Sequence, residues 1–548
     1  MESLSEETWD VVICGTGLSQ SLLALALSRS NKRIIHLDEN DFYGEHEAAL
    51  SLQEADAWAQ TYAGGGVARQ LDQSHSSTNN TDEPVTGASG AANCDAKEHA
   101  SLTVDNFATT ATPSKKGSNI FRNAHVWKHS DAEAQGLSFP RAYSLALAPQ
   151  IIHTRSELLS RLVSSKANRQ VEFLAVGSFF VYSTTDTSSG ATLTRIPSSR
   201  EDVFSARSIP ARSKRTLMKF LKFVIDYDSD EQKPVWQEKA DKPLSEYLID
   251  EFKLDESLRD SVLALTLTMD GKVTVKDGLA TIHRHLNSMG LFGPGFCAVY
   301  PKWGGISEIA QVGCRAGAVG GGIYMLDTEV SINENGNGRE VTLRLPNEVS
   351  IQTTALVSSQ QTCSATSQTI ARLVAVINSP LQSLFEILAE GAPPPAVIVI
   401  AFPSGSLSNT SQPGLNVPVY AFVHSSDTGE CPSGQSVIYL TMEAMPQSSD
   451  ILDIALTALL QVLETTADVL YKLYYEQATS TRKSVVTSQG SATVFEFPSP
   501  SLGLAFDDTS LDTVEEAWKI VMNKEVLDDA FMKFEDREGM GDEDDVYD

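Results

Sequence analysis

The order of apolar positions predicts a β-α-β unit at the start of the chain. Val11–Cys14 form a short apolar run bounded by Gly15, which is typical of a buried parallel strand. An apolar helix is predicted over residues 18–30, and a second apolar run, Ile34–Leu37, ends at Asp38. A strand, a glycine turn, a helix and a strand followed by an acid about twenty residues after the glycines indicate a dinucleotide-binding type of α/β domain.

Between residues 196 and 288 the spacing of apolar residues is helical throughout. We therefore expect an all-helical domain II at 196–288, inserted into an α/β domain I that covers residues 1–195 and 289–524. The apolar faces of the predicted helices include Leu217, Phe220, Leu221, Val224, Leu248, Val262 and Leu265.

The last third returns to short apolar runs, which predict further strands at 341–345, 372–377, 396–402, 417–423 and 437–441. A helix is predicted over 451–476. The last helix is predicted over 511–522, with Asp512 as its cap and Glu515 three residues later.

Two segments have a composition that does not favour a packed core. Residues 64–119 are rich in Gly, Ser, Thr, Ala, Asn and Asp, with Phe107 as the one aromatic residue, so we expect a disordered insertion there. Residues 525–548 carry eleven acidic residues against Lys533 and Arg537. We expect this acidic tail to be disordered or to face a partner.

Overall composition narrows the class of protein. The 548 residues have a formal net charge of −29, which argues against a nucleic-acid binder. The sequence contains no run of 18 apolar residues, so it predicts no membrane span. The first residues do not resemble a secretory signal. The six cysteines have no metal-site spacing, and we expect reduced thiols in a cytoplasmic protein.

The dinucleotide fingerprint is incomplete. Gly15 and Gly17 occupy the first two glycine positions of G-x-G-x-x-G, but Gln20 occupies the third. A side chain there would displace the helix or point into the phosphate space, so we expect no cofactor, although Asp38 could bind a ribose hydroxyl.

No other motif indicates catalysis or a metal site. There is no GxSxG, HExxH or P-loop lysine. His46, His283 and His285 are interpreted as surface or capping residues rather than ligands.

Three blocks of sequence carry more specific motifs. The first, residues 10–50, includes Tyr43 followed by Gly44; the second, residues 195–228, contains DVF at 202–204 and KR-x-LMKFL-x-F at 214–223; the third, residues 300–326, ends in GG-x-Y-x-L. Together they resemble the superfamily of Rab GDP-dissociation inhibitors and Rab escort proteins, and the second block is more similar to the escort branch. Two positions depart from the family pattern: Glu45 replaces a second glycine, and Gly320 replaces an aromatic residue.

The resemblance implies an FAD-oxidoreductase-like (Rossmann-type) α/β domain I that has lost its flavin, with Gly15, Gly17 and Asp38 as vestiges. It also implies a platform that binds GDP-bound Rab GTPases. The platform residues carried over from the family are Tyr43, Glu308, Arg315, Tyr324 and Met325. Arg315 and Glu308 are the right types to pair with charged residues of a partner, although an internal Arg315–Glu308 salt bridge and core packing of Tyr324 and Met325 are alternatives.

The resemblance also implies that the helical domain shelters the geranylgeranyl lipid and contacts the Rab geranylgeranyl transferase heterodimer. The residues expected to face lipid or transferase are Phe204, Leu217, Phe220, Leu221, Phe223, Val224, Leu248, Val262 and Leu265. Ordinary core packing is the alternative for each of them.

The function implied is therefore that of a non-catalytic escort protein, which presents newly made Rab proteins for prenylation and makes transient contact with membranes. One alternative is a GDP-dissociation inhibitor that recycles prenylated Rab proteins. Another is a flavin-dependent oxidoreductase, which flavin absorbance of the purified protein would reveal.

Overall fold

The computed structural model describes residues 8–64, 120–184, 190–197, 200–206, 209–333, 340–346, 349–360, 368–387, 389–407, 417–463, 465, 467–479, 483–489, 492–523 and 530–535. The predicted insertion therefore lies outside the described residues from residue 65 onward. The described helices are α1 (Leu18–Leu27), α2 (Leu52–Thr61), α3 (Glu157–Ser164), α4 (Arg200–Ser205), α5 (Ala211–Ile225), α6 (Lys233–Trp236), α7 (Leu244–Phe252), α8 (Glu256–Ala264), α9 (Val275–Ser288), α10 (Ile306–Val319), α11 (Ser448–Val462) and α12 (Thr509–Met522).

The strands fall into four sheets. In chain order they are β1 (Thr8–Trp9), β2 (Val11–Cys14), β3 (Ile34–Leu37), β4 (Ala49–Leu50), β5 (Phe121–Lys128), β6 (Leu145–Ala146), β7 (Ile152–His153), β8 (Phe173–Thr184), β9 (Ala191–Arg195), β10 (Ala298–Pro301), β11 (Ile323–Met325), β12 (Ser331–Asn333), β13 (Val341–Arg344), β14 (Ser350–Thr353), β15 (Ala355–Ser359), β16 (Gln368–Ile377), β17 (Pro395–Phe402), β18 (Val419–Ser425), β19 (Ser436–Glu443), β20 (Val469–Thr479), β21 (Val485–Gln489) and β22 (Ala492–Phe497).

The predicted β-α-β unit forms the centre of a six-stranded sheet with the order β11-β3-β2-β15-β22-β21. β2 and β3 are parallel, with Val11 opposite Ile34. Because α1 is covered by α10 and α12 on top of the sheet, nearly every residue of α1 is buried. β11 adds at the edge, parallel to β3, which places Tyr324 opposite His36.

A ten-stranded, mostly antiparallel sheet forms the second layer, in the order β5-β20-β16-β19-β18-β17-β8-β10-β7, with β9 beside β8. One face packs against α11. The other face shares a continuous apolar core with helices α5, α7, α8 and α9. The sheet's strands match four of the predicted runs, with boundaries that differ by a few residues.

The described part of segment 196–288 is helical, as its spacing predicts. α4 to α9 lie between β9 and β10, and no strand occurs among the described residues of this segment. The helices bury their apolar faces against each other and against the large sheet. No described helix is long and apolar enough to cross a membrane.

The helix predicted over 451–476 is wrong in its second half. α11 ends at Val462, and Val469–Thr479 form β20, which pairs with β16 on one side and β5 on the other. Both faces of this interior strand are largely buried, so its apolar residues, Val469–Tyr475 apart from Lys472, show no strand alternation. Such a run cannot be told from a buried helix by periodicity alone.

Two predictions near the C-terminal end also need correction. α12 begins at Thr509, so Asp512 lies in its first turn and Asp508 is the N-cap residue. Part of the acidic tail is packed: Phe531 and Met532 are buried, and the guanidinium of Arg161 lies 5.2 Å from the Phe531 ring centre. The apolar residues between the acids explain this, because they complete the core beside Trp518.

Candidate functional site

The turn between β2 and α1 is occupied by side chains of the protein itself. A β-carbon at Gly15 would collide with the Glu45 carboxylate, and one at Gly17 would lie 2.8 Å from Glu45 Oε2. Gln20 Nε2 donates to Glu45 Oε2 at 3.2 Å and also contacts Ser359 Oγ. The side chain of Gln20 thus points into the space that a phosphate would fill, as one of the two predicted alternatives has it.

Two carboxylates take the place of a phosphate at the start of α1. Leu18 N donates to Glu47 Oε2 at 3.4 Å, and the carboxyl group of Glu45 lies beside Gly17. The N-terminal amides of a helix form a site for anions and other hydrogen-bond acceptors, and here carboxyl groups of the chain itself occupy it. Glu45 reaches it from a left-handed conformation, φ 43°, which explains why a glycine is usual at this position in the family pattern.

A dinucleotide does not fit this site. Its diphosphate would have to displace Glu45, and the remaining acids Asp38 and Glu47 would repel it. Burial raises the pKa of Glu45 well above its usual value, with further contributions from Asp38, Glu47 and Glu39. Burial likewise raises the pKa of Glu47 to about 7.

Asp38 is used entirely within the protein. Its Oδ2 accepts hydrogen bonds from Thr16 N at 2.7 Å and Thr16 Oγ1 at 2.5 Å, and its Oδ1 accepts from Asn40 N at 2.8 Å. Thr16 Oγ1 in turn accepts from Gly44 N at 2.9 Å. With 1% of its surface exposed, Asp38 has no room for a ribose hydroxyl, so that part of the expectation is wrong.

The backbone of Asp38 joins the first and third sequence blocks. Its N–H donates to Met325 O at 2.9 Å, and its carbonyl accepts from Thr328 N at 2.8 Å. The carboxylate fixes the loop that carries Tyr43, and the backbone fixes the end of β11. One buried acid therefore positions residues that are almost 300 positions apart in the chain.

Glycines let α10 lie very close to α1. β-Carbons at Gly313 and Gly320 would approach the carbonyl oxygens of Ser21 and Ser28, respectively, far below van der Waals distance. One at Gly317 would collide with the hydroxyl of Tyr324. Gly320 thus replaces the aromatic residue of the family pattern for a local reason, since no side chain fits between that residue and α1.

Tyr43, Tyr324 and Cys314 form a cluster above this helix pair. The Tyr324 ring lies 4.7 Å from the His36 ring centre, and its hydroxyl interacts with the Cys314 thiol. Tyr43 is partly exposed and electrostatically coupled to both Cys314 and Tyr324. Burial is the main reason that the pKa values of both tyrosines are raised.

The other predicted platform residues lie on both faces of the six-stranded sheet: Glu308 and Arg315 belong to α10, which covers one face together with α1, and Met325 packs on the opposite face. Met325 is half-buried against the apolar core. Glu308 and Arg315 are one repeat of seven residues apart on α10, Glu308 half-buried and Arg315 exposed. Arg315 lowers the pKa of Glu308, but burial outweighs it and the pKa is raised. Among the described residues, no ion pair within 4.0 Å joins the two, so Arg315 is available to a partner.

Most residues expected to face lipid are packed in a closed core. Seven of the nine are at most 8% exposed, and Leu221 packs against them as a partly buried residue. The seven are Leu217, Phe220, Phe223, Val224, Leu248, Val262 and Leu265. Phe204 differs: it is 60% exposed at the end of α4, while its neighbour Val203 is fully buried.

A cavity of about 550 Å³ lies elsewhere, between α1, the loop 267–270 and residues 498–513. Leu18, Glu47 and Met269 are among its lining residues, and none of the predicted lipid-facing residues is.

The roles of Thr16, Glu47 and Gly317 were missed by the sequence reasoning. The Gly313–Gly317 spacing, one helical turn, was the available signal for the close helix contact.

Comparisons with known proteins identify the family of the chain. Residues 5–70 and 89–389 match the protein family described as GDP dissociation inhibitor. Rab proteins geranylgeranyltransferase component A of Saccharomyces cerevisiae is 26% identical over 82% of this chain, and its counterpart in Drosophila melanogaster is 26% identical over 87%. The matched regions cover 64% of the Saccharomyces cerevisiae protein and 58% of its Candida albicans counterpart, so the chain spans about three fifths of the length of these two relatives. They cover 82% of the Drosophila melanogaster protein.

Two solved structures share the fold. Rab GDI from Plasmodium falciparum superposes with a TM-score of 0.59 and 17% identity, covering 94% of this chain and 98% of its own. An oxidoreductase from Methanosarcina mazei superposes with a TM-score of 0.54 and 12% identity, covering 92% and 99%. The predicted fold class, an oxidoreductase-like α/β fold with a helical insertion, is confirmed.

Proposed function

This chain belongs to the GDP dissociation inhibitor family, and from that membership we propose that it is a Rab escort protein. It binds GDP-bound Rab GTPases, presents them to Rab geranylgeranyl transferase and delivers the prenylated products to membranes. It does so as a non-catalytic accessory subunit. The names of the curated relatives, component A of Rab proteins geranylgeranyltransferase, support this assignment over a general inhibitor.

The observation that carries the proposal is the Asp38 network. It holds the loop that carries Tyr43 of the first block and the end of β11 that carries Tyr324 of the third block, although nothing in local sequence joins them. On α10, Arg315 offers an exposed cation and Glu308 a half-buried carboxyl group. Aromatic, methionine and arginine side chains around a polar patch are the groups that anchor protein interfaces.

The lipid would bind in the helical segment. Helices α5, α7 and α8 bury the apolar residues that could line a slot, and α5 and α9 also pack together. A geranylgeranyl chain has twenty carbons, and each buried methylene group contributes about 0.8 kcal/mol. Separation of two of these helices would expose an apolar slot of the required character, so we expect the slot to form only when lipid is present.

The recycling inhibitor is the second candidate, since it would use the same platform. The similarity of block 202–223 to escort proteins and the names of the relatives favour the escort role. The flavin oxidoreductase is disfavoured, because Glu45 and Glu47 occupy the amides that a flavin dinucleotide's diphosphate needs.

Reconstitution separates the two candidates. The purified chain is added to an unprenylated Rab, the transferase and labelled geranylgeranyl pyrophosphate. We expect rapid double prenylation that is negligible without the chain, because the escort raises the local concentration of the Rab tail at the transferase. If the chain extracts prenylated Rab from membranes but never supports prenylation, the recycling role replaces the escort role.

The platform is tested by Tyr43→Ala and Arg315→Glu. Each should weaken binding of GDP-loaded Rab by about 1–4 kcal/mol, as loss of an interface anchor does. Calorimetric titration gives the affinity, and circular dichroism checks the fold. Lys222→Glu, a charge reversal on α5, is the matched control for Arg315→Glu. Unchanged affinity in both platform variants would contradict the assignment.

A further inference from the structure

Three side chains that can bind metal meet at the junction of the large sheet and the helical segment. His153 ends β7, Cys297 directly precedes β10, and His285 lies in the last turn of α9. One donor atom from each lies within 4.8 Å of the other two, and all three residues are at most 4% exposed. The platform and the lipid-facing residues do not include any of them.

The geometry resembles that of a metal shell. Cys297 Sγ lies 3.5 Å from His285 Nδ1 and 3.7 Å from its Nε2. Zinc–sulfur bonds of about 2.3 Å and zinc–nitrogen bonds of about 2.0 Å at tetrahedral angles place sulfur and nitrogen about 3.5 Å apart. The Sγ–Nδ1 distance equals that separation, and because Sγ is almost as close to Nε2, the His285 ring must turn for one nitrogen's lone pair to point at a shared ion.

His153 supplies an independent observation. Both of its ring nitrogens are buried without a hydrogen-bond partner among the described residues. An unpartnered buried polar group is costly, and native structures rarely keep one without a ligand, water or ion nearby. The ring centres of His153 and His285 are 5.9 Å apart, and one donor atom of His153 lies within 4.8 Å of donor atoms of His285 and Cys297.

The surroundings favour the ligand forms of the two histidines. Burial lowers the pKa of His285 to about 4 and also lowers that of His153, with Arg284 and His285 as further causes. Both imidazoles are thus neutral and can donate a lone pair. Phe179 packs edge-on against His285, with ring centres 4.9 Å apart. Burial raises the pKa of the Cys297 thiol to about 12, so thiolate must form together with the metal bond.

We propose that His153, His285 and Cys297 form a buried site for one thiophilic metal ion, Zn²⁺ or Cu⁺. As the metal–sulfur bond forms, the thiol proton leaves to solvent. Thiolate with two imidazoles is a donor set that soft and borderline metals share. With Cu⁺ the site is formally neutral. With Zn²⁺ it carries one positive charge and a water completes the tetrahedron.

The ion would attach the end of α9 to the sheet. The neighbouring backbone already connects these elements, since Thr154 N donates to Cys297 O at 2.9 Å and Thr154 Oγ1 donates to Ser288 O at 2.6 Å. A metal bond would add to these contacts at the base of the helical segment. The site is therefore structural, and it is independent of the proposed escort function.

Metal binding by the full chain tests the proposal. The apoprotein, prepared with a chelator under reducing conditions, is dialysed separately against Zn²⁺ and Cu⁺, and the bound metal is measured per chain. Co²⁺ is used as a spectroscopic substitute for Zn²⁺, because a thiolate ligand gives it an intense near-ultraviolet band. We expect about one ion per chain and a higher Tm with metal.

Two ligand variants and one control make the test specific. Cys297→Ser and His153→Gln should each weaken binding at least tenfold and abolish the rise in Tm. Cys431→Ser, which changes a thiol that is also buried, should bind as the wild type does. His153→Gln keeps the test valid if Cys297→Ser does not fold, and circular dichroism of the apoproteins reports folding. Binding of either ion supports the site. No binding by the wild type, or equal binding by His153→Gln, overturns the proposal.

Discussion

At the scale of residues, three acids determine what the β2–α1 turn does. Glu45 and Glu47 satisfy the helix amides that would hold a phosphate, and Asp38 organises the loop that carries Tyr43. An arrangement typical of cofactor binding therefore holds the loop that carries Tyr43. The acids are stabilised by hydrogen bonds but pay a desolvation cost, which the raised pKa values of Glu45 and Glu47 report.

The raised pKa of Glu47 predicts a specific dependence of stability on pH. Its folded value of about 7 exceeds the usual 4.5, so the folded state binds more protons than the unfolded state between these values. Stability contributed by the protonated form is complete below about pH 4.5 and is lost as the pH rises through 7. Glu47→Gln should raise the free energy of unfolding by about 1–2 kcal/mol at pH 8, with screening by solvent in the adjoining cavity taken into account.

Denaturant titrations at pH 4.5 and pH 8 measure this effect. The gain should be nearly absent at pH 4.5, where the carboxyl is protonated in the folded state and about half protonated in the unfolded state. Burial lowers the pKa values of His36 and His46 to about 4, so these histidines make the folded state more stable as the pH rises. Their contribution is equal in the wild type and in the Glu47→Gln variant and cancels when the two are compared. The exposed Glu133→Gln is the control and should show no pH-dependent gain. An equal gain at both pH values would point to packing rather than ionisation.

At the scale of elements, the contact between α1 and α10 sets the position of the platform. Gly313, Gly317 and Gly320 bring the backbones together, and the Tyr324 hydroxyl occupies the space above Gly317. The positions of the predicted platform residues on α10 and β11 thus depend on these glycines, which have no side chain to separate the two helices. Close packing of this kind transmits any change in volume to its neighbours.

Gly317→Ala tests this contact. Alanine is favoured by about 1 kcal/mol over glycine within a helix, but the added methyl group would collide with the Tyr324 hydroxyl. We expect a net loss of stability of about 1–3 kcal/mol, measured by denaturant unfolding. Adding Tyr324→Phe should restore more than half of it, and Tyr324→Phe alone is the control. If the double variant regained no stability, the destabilising contact of the alanine at position 317 would not be with the Tyr324 hydroxyl.

The helix α5 has a buried and an exposed side that can be compared directly. Phe220 is fully buried beside Phe252, with ring centres 5.1 Å apart, whereas Ile225 is 50% exposed on the same helix. Phe220→Ala should lower the free energy of unfolding by about 3–5 kcal/mol because it leaves a cavity. Ile225→Ala should change it by less than about 1 kcal/mol. Thermal unfolding of both measures the difference, and similar losses would mean that the helical core is looser than described.

At the scale of the whole molecule, two surfaces serve two partners in the proposed function. The platform lies at the edge of the six-stranded sheet, and Phe204 lies on α4 of the helical segment. An escort protein needs both, because it must hold a Rab and the transferase together, whereas a recycling inhibitor needs only the first.

Phe204→Ala should separate the two contacts. Its side chain is exposed, so we expect an unchanged Tm and unchanged Rab affinity, but at least tenfold slower prenylation because an aromatic anchor of the transferase contact is lost. Ile332→Ala, a similarly exposed apolar residue on the four-stranded sheet, is the control. Normal prenylation by the Phe204 variant would remove Phe204 from the transferase-facing set.

Local sequence determined the elements whose signal lies in short-range spacing. The β2–α1–β3 unit, helices α5 to α9 and most strands of the large sheet follow from apolar periodicity, and three sequence blocks identified the family. β20 was mistaken for a helix because a strand buried on both faces loses its alternation.

Tertiary structure alone decided which side chains meet. Glu45 enters the turn at Gly15, Asp38 connects Thr16 to Met325, and Cys297 lies beside His153 and His285. The residues of each group are brought together by strand order and helix packing, and they lie 22 to 309 positions apart except for His285 and Cys297. Periodicity describes how one element buries its face, and it carries no information about which distant element covers that face. For this reason the sequence predicted the scaffold of this protein, and only the fold assembled its sites.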